Sequence, residues 1–121
     1  MHKFVSNTSP ILYLTKIDLI EKIYFPITDF IIPKGVKEEI LAGTENDSAK
    51  KWIQSPDNKI QIISSQVRSE ITSWDLGKGE TEVLSYLLNN SGTIGIIDDL
   101  TARHCAKIYH LCYWNSWFII E

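Results

Sequence analysis

The sequence lacks most of what would mark it as specialised. Cysteine occurs only at Cys105 and Cys112, with no paired motif for a zinc site or a redox couple. A disulfide framework is unnecessary at 121 residues, so a reducing cytoplasm is the expected setting. No apolar run approaches the roughly 20 residues that span a bilayer. Residues 1–6 carry no signal-peptide apolar region, and no membrane association is expected. Repeats and low-complexity linkers are absent. Histidine is sparse: His104 and His110 are badly spaced for a helical metal pair, His2 is terminal, and none is assigned a catalytic role. Positive charge is also short, with 12 Lys and Arg against 15 Asp and Glu for a net charge of −3. A broad basic footprint for nucleic acid is therefore missing, and any RNA contact must rest on local cationic side chains plus a bound cation.

What remains is ordinary globular material, 44% hydrophobic and 22% charged, long enough for one core and one domain over residues 1–121. Apolar runs at Phe4-Val5-Ser6, Phe30-Ile31-Ile32, Ile60-Gln61-Ile62-Ile63 and Ile94-Gly95-Ile96-Ile97 read as strands. Between them lie helical stretches: one opened by Ser9-Pro10, with Ser9 as cap, and a second opened by Asp18 and running to Tyr24. Further helices span about 34–42, 48–54, 79–89 and 100–109, with Gly43, Pro56 and Asn89-Asn90-Ser91-Gly92 as stops. The alternation predicts an α/β fold of three α/β/α layers around a central, mainly parallel sheet of four to five strands. Ligands of such sheets bind beyond the carboxyl ends of the strands. Asn7, the segment after Pro33, and Asp98-Asp99 all follow predicted strands.

Two acids sit on apolar helix stripes. Glu80 shares a face with Val83, Leu84 and Leu87, and Glu39 shares one with Val36, Ile40 and Gly43. Both are expected to lean inward, Glu82 and Glu38 less so. An inward carboxylate is costly unless paired, hydrogen-bonded or cation-bound. Each acid alone has a structural explanation: Glu39 and Glu80 suit helix starts, and an Asp at 98–99 can cap the helix behind it. Together with Asn7 they would crowd oxygen ligands at one sheet edge, a donor set that selects Mg²⁺ or Mn²⁺ over zinc. Free amides at the helix opening of Ser9-Pro10 would suit a phosphate oxygen.

The runs Val5-Ser6-Asn7-Thr8-Ser9-Pro10, Ile32-Pro33 with Val36 and Glu38-Glu39-Ile40-Leu41-Ala42-Gly43, Leu76-Gly77-Lys78-Gly79-Glu80, and Ile96-Ile97-Asp98-Asp99 with Ala102-Arg103 follow in a specific order. Over about residues 3 to 109 they resemble the PIN-domain fold, on the branch near VapC-type toxins of toxin–antitoxin pairs. The resemblance implies a Mg²⁺- or Mn²⁺-dependent endoribonuclease in which metal-activated water attacks the phosphate. The family's acid positions correspond to Asn7, Glu39, Glu80 and the Asp98–Asp99 pair, of which Asp99 fits slightly better. Metal would be held by Asn7, Glu80, Asp98 and Asp99. Many relatives are homodimers neutralised by a protein antitoxin.

Two departures qualify this. Asn7 stands where the family pattern has Asp, bringing an amide oxygen without charge. The stretch Cys112-Tyr113-Trp114-Asn115-Ser116-Trp117-Phe118 replaces an expected last strand of the kind Val-Ile-Gly-Thr-Leu-Gly-Leu, which makes residues 110–121 an atypical tail. Reading the codons one base later forces glycine at both Trp positions and permits the rest. A frame shift near 109–111 is the corresponding hypothesis; an unbroken continuation in the shifted frame of the coding DNA would support it, and its absence would end it. Such a tail would expose Trp114, Trp117, Phe118, Ile119 and Ile120 and favour self-association. Both departures point to the rival reading, an inactive or decayed PIN-like domain that binds protein or RNA. Arg103 suits a phosphate or, equally, an i, i+4 pair with Asp99. Lys34, Lys37, Lys50 and Lys51 read as solvated helix faces, and Trp52 and Trp74 as packing residues. A phosphoacceptor receiver domain is disfavoured, because Ser6-Asn7 stands where it would need an acidic pair.

Overall fold

Three of the four expected strands are apolar on every residue or nearly so, the pattern of a parallel sheet covered on both faces. In the structure, a computed structural model that describes residues 3–20, 29–56 and 60–115, the strands are β1 (Lys3–Ser6), β2 (Asp29–Pro33), β3 (Gln61–Ile63), β4 (Thr93–Ile96) and β5 (Tyr113–Trp114). They form one sheet in the order β3-β2-β1-β4-β5, and every pairing is parallel. Helices α1 (Thr8–Lys16), α2 (Lys34–Leu41), α3 (Ser48–Gln54), α4 (Ser69–Thr72), α5 (Lys78–Asn89) and α6 (Leu100–Ile108) fill the crossovers. The chain steps outward from β1 to β3, then returns to β4 on the other side of β1. Right-handed crossovers put the helices of the two legs on opposite faces. Accordingly α1 packs with α2 and α3, and α5 with α4 and α6; α2 and α5 also pack on each other, joining the two groups. The expected three-layer α/β/α architecture is the observed one.

Phe4, Val5, Ile31, Ile32 and Ile96 from the strands, with Ile11, Leu14, Val36, Val83, Leu84 and Ala102 from the helices, are buried in one cluster. Trp52 is a packing residue, as expected, meeting Phe30 edge-on at 6.1 Å. A side chain at Gly95 would strike Leu87 Cδ1 at 2.7 Å, so this glycine is where α5 comes down onto β4.

Several local expectations are corrected. The cap of α1 is Asn7 rather than Ser9: its side chain accepts from the Thr8 amide, and Ser9 is exposed on the first turn. Asp18 has a φ of 57°, a left-handed position in the turn after α1. Most of the second helix expected there, residues 21–24, lies outside the described residues. Helix α4 was not expected at all. The altered tail still supplies a strand: Gly95 and Ile97 donate to the carbonyls of Cys112 and Trp114 at 2.9 and 2.8 Å. Trp114 is half-buried, its ring 5.2 Å from that of Phe4; Trp117, Phe118, Ile119 and Ile120 lie outside the described residues. Among the described residues no helix is long and apolar enough to cross a membrane.

Candidate functional site

The strand order reverses between β1 and β4, and the crevice beyond their carboxyl ends is the natural binding position of such a sheet. Ser6 is in register with Ile96, and the Asn7 amide donates to the Ile96 carbonyl at 3.1 Å. Asn7 therefore stands at the end of β1 beside the start of the Ile97-Asp98-Asp99 segment. It is almost wholly buried, at 1% exposure.

Asn7 and Glu80 satisfy each other. Asn7 Oδ1 accepts the Thr8 amide at 2.8 Å, which leaves Nδ2 to face the acid, and Nδ2 donates to Glu80 Oε1 at 3.4 Å. The other oxygen, Glu80 Oε2, accepts the Gly77 amide at 3.2 Å. Both carboxylate oxygens are thus hydrogen-bonded, one to a side-chain amide and one to an orphan amide at the start of α5. Behind the pair, Val83, Leu84, Ile97 and Ala102 close a crevice too tight to admit water.

Glu39 joins this end of α5 from α2. Its residue surface is largely exposed, but its carboxylate end lies against Gly79, where a Cβ would collide with Oε1. Burial of that end, followed by the negative charge of Glu80, holds the Glu39 carboxyl above its ordinary range. The Thr8 hydroxyl, buried and short of a well-formed hydrogen bond, faces the same carboxylate and offsets part of the rise, as does the Gly79 N–H. Asn7 and Glu80 meet directly, and Glu39 lies near enough to feel the charge of Glu80. Glu39, expected to lean inward more than Glu38, is exposed as Glu38 is, because α2 turns its carboxylate along the start of α5 rather than into the core.

The remaining candidates are placed differently. Asp99 is exposed and its Oδ2 accepts the Ala102 amide at 2.9 Å, the cap of α6. Asp98 is half-buried at the end of the strand segment. Arg103 makes no ion pair with Asp99 among the described residues; its Nε is buried without a hydrogen-bond partner. Glu82, expected to face away, is the most buried acid of the described chain at 6% exposure. The apolar stripe of α5 faces the sheet, whereas Glu82 is covered from a second side by α2.

A family model described as PIN domain matches residues 3–120. The chain belongs to the PIN-domain family. The match extends the resemblance read from the sequence through the atypical tail, nearly to the end of the chain. No curated protein matches the sequence. For this PIN domain the implied divalent ion can be tested against the side chains. Among the described residues no group of three or more His, Cys, Asp and Glu is arranged to hold a metal ion. Glu80 already has both oxygens bonded, Asn7 has its oxygen on the cap, and Asp99 has one oxygen on another. As arranged, the described side chains do not fit the ion unless they turn from these partners.

Proposed function

We propose that this PIN domain does not hydrolyse RNA as it stands and serves as a binding module for RNA or a protein partner. The bond from Asn7 Nδ2 to Glu80 Oε1 carries the reading. An aspartate at position 7 would set two anionic oxygens side by side and call for a cation between them. Asparagine instead offers an N–H, so the amide gives Glu80 a hydrogen-bond donor where the ion would otherwise stand, while the charge of Glu80 remains. The residues proposed to line the binding surface are Ser9, Glu39, Glu80, Asp98, Asp99 and Arg103, with the buried Asn7 holding Glu80 from beneath and with Ser9 and Arg103 contacting phosphate if the partner is RNA.

The second reading is the metal-dependent endoribonuclease, the toxin of a toxin–antitoxin pair, with Mg²⁺ or Mn²⁺, a protein antitoxin and a homodimer as its companions. One observation favours it: Glu39 still feels the charge of Glu80, a repulsion that a divalent ion would relieve.

A panel of labelled single-stranded RNAs, incubated with Mn²⁺ and followed for both retention and cleavage, separates the two. The binding reading expects no cleavage above that of the Asp98→Asn/Asp99→Asn variant. Cleavage by the natural chain that this double variant abolishes would restore the nuclease.

A further inference from the structure

The two helices that carry Glu39 and Glu80 begin alike. Helix α2 opens Pro33-Lys34-Gly35 and α5 opens Gly77-Lys78-Gly79, and neither Pro33 nor Gly77 supplies a side-chain cap. First-turn amides of a helix lack partners within it. Here the second residue of each helix lies against a glutamate of the other. Gly35 N–H donates to Glu82 Oε1 at 3.2 Å, and the Glu39 carboxylate packs directly on Gly79, whose N–H lowers the Glu39 carboxyl in part. The glycines are needed for the approach. A Cβ at Gly35 would collide with the Glu82 carboxylate, and one at Gly79 with that of Glu39.

The burial of Glu82 follows from this exchange. A buried carboxylate needs compensation, and the start of α2 provides it through an amide and the helix dipole. Ser65 Oγ holds the Glu82 carbonyl at 2.8 Å. At the rim of the adjoining cleft, about 310 Å³ in volume, Lys78 Nζ reaches Glu38 Oε2 at 3.4 Å. The Lys78–Glu38 contact ties the same two helices from the solvent side, whereas Ser65 holds α5 to the segment after β3. Glu82 Oε2 is buried and has no hydrogen-bond partner. The carboxylate is therefore kept in place by Gly35 and by packing.

We infer that Glu82 is a positioning residue: the reciprocal clasp of Glu82 on Gly35 and Glu39 on Gly79 fixes α2 against α5 and sets where Glu39 stands relative to Glu80 and Asn7. Its bearing on function rests on the binding surface proposed above, but the clasp exists without any ligand. Dislodging Glu82 frees the start of α2, and Glu39 lies one turn further along that helix.

The test is done on the full chain without RNA or metal, so a failed binding experiment does not decide it. Backbone amide and side-chain carboxyl signals are followed by NMR in Glu82→Ala, Glu82→Gln and Gly35→Ala. Expected is a shift of the Glu39 carboxyl and Asn7 side-chain amide signals in Glu82→Ala, and of the Gly79 amide in Gly35→Ala. Glu82→Gln keeps an oxygen for Gly35 and leaves the Asn7 and Gly79 signals near their original positions, while the Glu39 carboxyl moves only by the lost charge of Glu82. Changes confined to the mutated helix, or Gln behaving as Ala, would overturn the inference. If Gly35→Ala alone fails to fold, the double variant Gly35→Ala/Glu82→Ala removes the collision and is expected to melt no lower than Glu82→Ala. A double variant that melts below Glu82→Ala would overturn the clasp.

Discussion

Replacing Asn7 with aspartate exchanges one amide nitrogen for an oxygen and reverses the electrostatics of the crevice. The cap of α1 survives, because aspartate caps as well as asparagine. Lost is a hydrogen bond to a charged group, worth about 1.5–3 kcal/mol. Gained is a second negative oxygen at the place of Nδ2, 3.4 Å from Glu80 Oε1. At an effective dielectric of about 20, two unit charges that close repel by about 5 kcal/mol. The penalty has a ceiling, since the pair can take up one proton. Holding that proton at pH 7, some 2.7 units above an ordinary carboxylate value, costs about 4 kcal/mol. A destabilisation of about 2–4 kcal/mol at pH 7 is therefore expected in EDTA. The sign with pH follows from linkage: the repelled pair has a raised value in the folded state, so the penalty grows as pH rises from the unfolded value and fades below about pH 4. Mn²⁺ should restore stability to the variant, by about 2.7 kcal/mol at one hundred times its dissociation constant. Urea unfolding at pH 4 and pH 7, with EDTA or Mn²⁺, reads all of this. Equal stability of variant and natural chain at pH 7 in EDTA would refute the reasoning. So would an equal gain of both from Mn²⁺.

Two further outcomes are expected. Glu39 has a raised folded-state value, caused first by burial and then by Glu80, so its contribution to stability is lost as pH rises through the window above the ordinary carboxylate range. Glu39→Gln should match the natural chain near pH 4 and exceed it at pH 7; parallel stability–pH curves would count against the convergence of Glu39 and Glu80. Asp99→Ala should lose about 1 kcal/mol by thermal unfolding, while Asp99→Asn, which still caps, should lose little. Equal losses in both would show that the charge of Asp99, rather than its bond to Ala102, matters.

Much of this fold can be read from the chain because its strands are continuous apolar runs set between sharp stops. Phe30-Ile31-Ile32 before Pro33 and Ile94-Gly95-Ile96-Ile97 before two aspartates leave little choice of element or of sheet type. Glu39 and Glu80 are legible for the same reason, as acids out of place on apolar stripes. Glu82 is not, because its burial depends on a helix 47 residues away in sequence. The tail misleads in the opposite direction. Its side chains depart from the family pattern, yet β5 is held by main-chain bonds to β4, which any side chain permits. The exchange of caps is also invisible in sequence: Pro33 and Gly77 look like unfinished helix starts until their partners are seen across the interface. Asn7 was legible as a departure but not as a replacement, since its use of both ends, oxygen to Thr8 and nitrogen to Glu80, needs coordinates.

Whether the Asn7 amide stands in for an ion is tested most directly by counting bound Mn²⁺ in the natural protein at neutral pH, by electron paramagnetic resonance of the free ion. No saturable uptake is expected at ion concentrations where Asn7→Asp fills one position and Asn7→Asp/Glu80→Gln does not. Stoichiometric, Glu80-dependent uptake by the unaltered chain would contradict the account.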